Sequence, residues 1–200
     1  MMGSKIWLWL FIAVLPGSLA GAAPGPFSGF GNTLDNAKKT DFFQFFHLEQ
    51  TGESSVKDGK TIVFQPSGEK FHDLVRVYMT VDSKGLIQGA SLELSRSFVD
   101  SPQDGIYARD IAKSFLSGAI EPQDLDRVNN LIIEIGQPIG TDRPVIAHPD
   151  SVHKPDGPPS MGYRVYLGKE NLLELPLPHG QTLRMENPAS KPPVLKISLR

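Results

Sequence analysis

Two runs of alternating side chains on either side of a tight reversal constrain this chain more than any other feature. Phe71, Asp73, Val75, Val77, Met79 and Val81 alternate with His72, Leu74, Arg76, Tyr78 and Thr80. After Asp82, Ser83, Lys84 and Gly85, the residues Leu86, Ala90, Leu92, Leu94 and Phe98 share one parity, and Ser91, Glu93, Ser95 and Ser97 share the other. A strand points successive side chains to opposite faces, so each run reads as a strand with one apolar edge. Gly85 supplies the positive φ that a tight reversal needs. The pattern predicts an antiparallel hairpin with one side packed and one side in water.

The packed side needs a cover, and the next segment supplies two. Ser101, Pro102, Gln103 and Asp104 have the form of a helix start: a hydroxyl cap, a proline at the first helical position and an acid three residues after the cap. Tyr107, Ala108, Ile111, Ala112, Phe115 and Leu116 then make an apolar stripe at helical spacing, with Gly118 placed to end it. A second helix is predicted from Glu121 and Pro122, carried by Leu125, Val128, Ile132 and Ile135 and ended by Gly136. Thr61 to Gln65 is short and β-branched and reads as a further strand before the turn at Pro66, Ser67 and Gly68.

Beyond Gly136 the character changes. Eleven of the seventeen prolines lie between Pro138 and Pro193. Only brief strand-like runs interrupt them, at 144–147, 163–167, 172–175 and 194–199. Proline donates nothing to a ladder, so this part is expected to form edge strands and loops, with 149–161 as a long exposed loop. The expected fold class is α+β: an antiparallel sheet, two consecutive amphipathic helices packed on one face, and a proline-rich C-terminal part of short strands and loops.

The first 22 residues read as a removable leader. Lys5 provides the positive end, residues 6–15 are an unbroken apolar run of ten with Trp7 and Trp9, and Pro16 and Gly17 close it before small-residue triplets ending at Ala20 and Ala22. Ten residues are too few to span about 30 Å of hydrocarbon as a helix, which takes roughly 20. A cleaved signal is therefore favoured over a retained anchor or a buried core helix, with cutting after Ala20 or Ala22. Residues 23–40 read as a flexible lead, and 41–200 as one domain, divided at residue 136 into a sheet-and-helix part and the proline-rich part.

Export gives the missing cysteines a meaning. A chain of 200 residues with none, and with no Asn-x-Ser/Thr acceptor, fits a bacterial periplasmic or secreted protein better than a eukaryotic one. Without a cysteine at the cleavage point, lipid attachment is excluded. No later apolar run reaches membrane-spanning length, so no transmembrane segment is expected after signal cleavage. A net charge of -2, with no run of five basic residues, argues against nucleic acid as a partner.

Chemistry-bearing residues are scattered. His148, Asp150 and His153 place two imidazoles and a carboxylate within six residues, a set that suits a divalent transition metal, but their spacing matches no known metal-hydrolase signature. Ser54 with Lys57 and Ser151 with Lys154 lack the companion motifs of serine acylases, and no nucleotide loop or nucleophile elbow is present. No cofactor is expected. Glu93, Arg96 and Arg109 are candidates to line a pocket between sheet and helices. Phe42, Phe43, Phe45 and Phe46 read as a strand buried on both sides, with a helix over 34–46 as the alternative. This cluster is core or, where Phe42, Phe45 and Phe46 stay open, a surface on which an envelope protein or a small apolar ligand docks. The leading expectation is a non-catalytic binding or interaction domain. The alternatives are a metal-dependent hydrolase using His148, Asp150 and His153, or a lipid carrier using 42–46.

Overall fold

The computed structural model describes residues 27–137 and 159–200. In chain order they form α1 (Leu34–Ala37), α2 (Asp41–Phe45), β1 (Leu48–Val56), β2 (Gly59–Pro66), α3 (Glu69–His72), β3 (Val75–Asp82), β4 (Ile87–Ser95), α4 (Arg96–Val99), α5 (Gly105–Ala119), α6 (Leu125–Gly136), α7 (Met161–Tyr166), β5 (Leu172–Pro176), β6 (Thr182–Glu186) and β7 (Val194–Leu199). The seven strands make one antiparallel sheet in the order β1-β2-β3-β4-β7-β6-β5. The fold is α+β.

Alternation organises the whole sheet, not only its central hairpin. Phe64, Val77, Leu92, Ile197, Met185 and Leu173 stand directly opposite one another across six strands. All but the half-buried Leu173 are buried in the core. The helices lie on this apolar face, with Ala108, Ile111, Ala112, Phe115, Leu116 and Ala119 of α5 buried there. Val128, Leu131 and Ile135 add the buried stripe of α6.

The hairpin turns at Gly85, whose φ is +79°. A bulge then changes the phase. Thr80 pairs with Gly89 but Val81 pairs with Ile87, which leaves Gln88 as the extra residue. Ile87 is buried as a result, while Leu86, assigned to the packed face by parity, is 38% exposed. The strand predicted from Phe71 begins only at Val75, because 69–72 coil into α3 and the Gln65 side chain donates to the His72 carbonyl at 2.7 Å. The Ser101 cap is present, with its hydroxyl accepting from the Asp104 amide at 3.0 Å, but regular α5 starts at Gly105.

Three expectations are corrected on the N-terminal side. The segment expected to be a flexible lead places Phe27, Phe30 and Ala37 in the core. The phenylalanine run is helix α2, not a strand buried on both sides, because only one covered surface is available and helical spacing turns Phe42, Phe43 and Phe46 toward it together. His47, just after that helix, takes φ 48°. Gly118 does not stop α5, which continues to Ala119. Its lack of a side chain lets the Phe30 ring lie where a Cβ would stand, only 2.6 Å from a ring carbon.

The proline-rich part is also better integrated than its composition implies. β7 is an interior strand, paired to β4 and to β6. Pro192 and Pro193 lie just before it, and Pro176 ends the edge strand β5, so no proline interrupts the ladders of β6 and β7. Residues 163–167, read as strand-like, lie largely in α7, which Ser160 caps by accepting from the Tyr163 amide. β6 was absent from the expected set. The run at 144–147 and most of the expected 149–161 loop lie outside the described residues.

Phe30 packs at centroid distances of 5.5 Å from Phe42, 6.1 Å from Phe43 and 5.7 Å from Phe115. Phe30→Ala should therefore lower unfolding stability by about 3–5 kcal/mol in denaturant titration, as removal of a core aromatic does. A flexible lead would show almost no change.

Candidate functional site

Burying Phe42 and Phe43 leaves the other side of α2 facing outward. Phe45 is 74% exposed, and its ring stands edge-on to the half-buried Phe46 at 5.1 Å. The two border an open groove between α2 and α5. One wall, on and around α2, sets Phe42, Phe45 and Phe46 among Thr40, Asp41, Gln44 and His47. The other is polar, made by Asp110, Lys113, Ser114 and Ser117 along the outward stripe of α5. Residues 110, 113, 114 and 117 follow helical spacing, so the groove runs along the α5 axis. Phe45 is the most exposed large hydrophobic side chain among the described residues.

Arg96 and Arg109 are not brought to this groove. Arg96 donates to the Tyr166 carbonyl at 2.7 Å and to Asp100 at 2.5 Å, which ties α4 to the end of α7. Arg109 donates to the Gly105 carbonyl at 3.2 Å and to the Gln137 carbonyl at 2.8 Å, which joins the start of α5 to the end of α6. Glu93 lies on the opposite face of the sheet, paired with Lys196 at 3.5 Å and accepting from Tyr78 at 2.9 Å. Burial, with help from Glu93, pushes the Tyr78 hydroxyl up to about 12. Glu93, Arg96 and Arg109 are thus held by separate partners on β4, α4 and α5. Burial likewise raises the Tyr166 hydroxyl, which has no hydrogen-bond partner among the described residues, and raises that of Tyr163.

Sequence reasoning missed one buried polar cluster. Asp124, whose side chain is fully buried, accepts from His179 Nδ1 at 2.7 Å and from the His179 amide at 3.4 Å. Beside it the Gln181 side chain donates to the Ala119 carbonyl and accepts from the Glu121 amide, both at 3.3 Å. Asp124 precedes α6, while His179 and Gln181 sit at the reversal between β5 and β6, so the cluster clamps that reversal to the α5–α6 connection. A separation of 55 residues gives no local spacing signal. The one available cue was an acid immediately before a helix, which also has a routine capping explanation.

His148, Asp150 and His153 lie outside the described residues. Among the described residues no group of three or more metal-binding side chains is assembled, and no helix is long and apolar enough to cross a membrane. Comparison with protein-family models, with curated proteins and with solved structures finds no match to this chain.

The clamp is testable by itself. Asp124→Ala removes the acceptor and leaves a void where the carboxylate stood, and it should cost about 1.5–3 kcal/mol of stability. His179→Ala should cost less, because the ring is 46% exposed and water can replace it. Urea denaturation of both variants checks the order; equal losses, or a larger one for His179→Ala, would contradict it.

Proposed function

We propose that this chain is an exported bacterial envelope domain that binds without catalysing, and that its α2–α5 groove docks an amphipathic segment of a partner protein. The observation that carries this reading is the pairing of a rim aromatic, Phe45 at 74% exposure, with a facing wall of Asp110, Lys113, Ser114 and Ser117. Full burial of one such aromatic is worth about 1.5–3 kcal/mol, enough to anchor a weak contact. The polar wall then decides between occupants. An acyl chain would desolvate hydroxyls, a carboxylate and an ammonium without returning a hydrogen bond, at a cost of about 1–3 kcal/mol for each group left unpaired. A peptide segment returns hydrogen bonds to these groups while its apolar side chains cover Phe45 and Phe46.

A photo-crosslinking amino acid in place of Phe45 tests this in the exporting cell, beside the same residue at an exposed site on β1 such as Ser54. A discrete protein adduct specific to position 45, competed by excess unmodified domain but not by domain carrying Phe45→Asp, supports the reading. Saturable binding of a fluorescent fatty acid that Phe45→Asp abolishes, with no such adduct, overturns it in favour of a lipid carrier. Phe45→Asp itself should change stability by less than about 0.5 kcal/mol, since the site is exposed.

The leader gives the second test. Mass spectrometry of the protein recovered from the envelope fraction should find a chain beginning at Gly21 or Ala23. A chain that keeps residues 6–15 would contradict export by cleavage.

A further inference from the structure

The α2–α5 groove shares two of its lining residues with the seat of a buried ring. Phe42 and Gly118 border the groove, and both also lie against Phe30. Phe30 is thus separated from the groove only by residues that it packs on. It is carried there by residues 27–33, a strap that precedes α1.

The backbone of this strap is strained. Phe30, Gly31 and Asn32 take φ values of 54°, 73° and 69° in succession, and two of the three carry side chains that disfavour this left-handed region. Such strain collects at clamps and switch regions, and it persists only where packing offsets it. Burial of the Phe27 and Phe30 rings supplies that offset.

The strap is also fastened at one end. There the Ile87 amide donates to the Asn32 carbonyl at 2.8 Å, Thr33 bridges to Leu86, and the Thr33 hydroxyl caps α1 by accepting from the Asn36 amide at 3.2 Å. Before this pivot, the backbone bonds found among the described residues stay inside the strap. The Asn32 amide donates to the Gly29 carbonyl at 3.3 Å, and the Thr33 amide to the Gly31 carbonyl at 2.9 Å. Asn36 Nδ2 donates to the Gly31 carbonyl at 2.8 Å, an exposed bond that water can replace. Among the described residues, apolar contact is what otherwise holds 27–31 to the body. A segment with so few hydrogen bonds to its surroundings belongs to the part of a fold that opens first.

The seat itself is lined for a ring. Phe42, Phe43 and Phe115 stand around Phe30, and Gly118 leaves room for it on α5. Rings arranged in this way favour another aromatic, tilted or edge-on, over a charged side chain. We propose, on the reading that a partner segment docks in this groove, that Phe30 is an intrachain stand-in for an aromatic side chain of that segment. The strap swings out about Asn32 and Thr33, and the incoming ring takes the seat at the end of the groove. A strap open in about one molecule in a thousand lowers the apparent affinity about a thousandfold, so loosening it strengthens docking.

Native-state amide exchange tests the strap without any partner. The Asn32 and Thr33 amides should exchange at least about tenfold faster than those of Leu92 and Ile197 in the interior strands, with a urea dependence smaller than that of global unfolding. Protection equal to that of the strands, or exchange indifferent to urea, overturns the proposal. Toluene tests the seat: it should raise the melting temperature of Phe30→Ala saturably and leave that of the parent unchanged. Phe30→Val answers the same question if the alanine variant does not fold, and a folded variant indifferent to toluene also overturns the proposal. Competition with a partner is read with the photo-crosslinking residue at position 45. Oriented with its nitrogen toward them, the exposed Asn32 side chain donates to the Phe27 and Ser28 carbonyls at 3.2 and 3.0 Å. Asn32→Ala removes both bonds and leaves a residue less tolerant of positive φ, without altering any residue that lines the groove. It should raise the yield of the adduct at least about threefold, whereas a purely structural strap would leave the yield unchanged or lower it. An adduct that Asn32→Ala does not raise overturns the stand-in role and leaves the docking intact. No adduct in either protein overturns the docking, and the stand-in role with it.

Discussion

The ring of Phe30 lies where the side chain of residue 118 would stand, and the packing of α2 against α5 is built around that contact. Because Gly118 has no Cβ, the ring can rest against the last turn of α5 while also touching Phe115 on the same helix. The segment that precedes α1 is held there, even though Phe30 and Asn32 take positive φ values of 54° and 69°, uncommon for residues with a side chain. Such a backbone persists only where the packing around it over-determines it. Phe42 and Phe43 then pack on Phe30, and their burial turns Phe45 outward. The groove wall is thus a consequence of a glycine on the facing helix α5.

The glycine was visible in the sequence and its role was not. Near the end of a helical stripe, a glycine has an ordinary meaning as a stop, and only the partner ring, 88 positions earlier, shows that its job is close approach. The same limit applies to Asp124 and His179, whose pairing depends on where a reversal lands against a helix start. What could be read was what local period encodes. The β3–β4 hairpin, the stripes of α5 and α6 and the strands at 172–175 and 194–199 follow from alternation and helical spacing without any knowledge of partners. For the phenylalanine run, period was uninformative because apolar residues filled both parities. Tertiary context chose helix over strand by offering a single surface to bury against.

Proline content misled for a related physical reason. Composition counts residues over a segment, whereas a ladder responds only to the positions inside it. Among the described residues of the last third of the chain the prolines fall between strands or at the end of β5, which leaves the amides of β7 free to pair on both sides. The interior position of β7 matters for more than topology. It brings Lys196 beside Glu93 and Ser198 beside Ser91, and so joins two meanders into one continuous face.

The two faces of the sheet carry opposite physical tasks. One is apolar, and its burial under α5, α6 and α7 holds the domain together. The other is polar in a way that nearly cancels its own field: its charges alternate across the strands, so they offer little long-range attraction to a partner of uniform sign but a specific pattern at contact range. The groove, by contrast, is set in the helical layer on the far side of the sheet. A contact on the polar face therefore leaves α2 and α5 free.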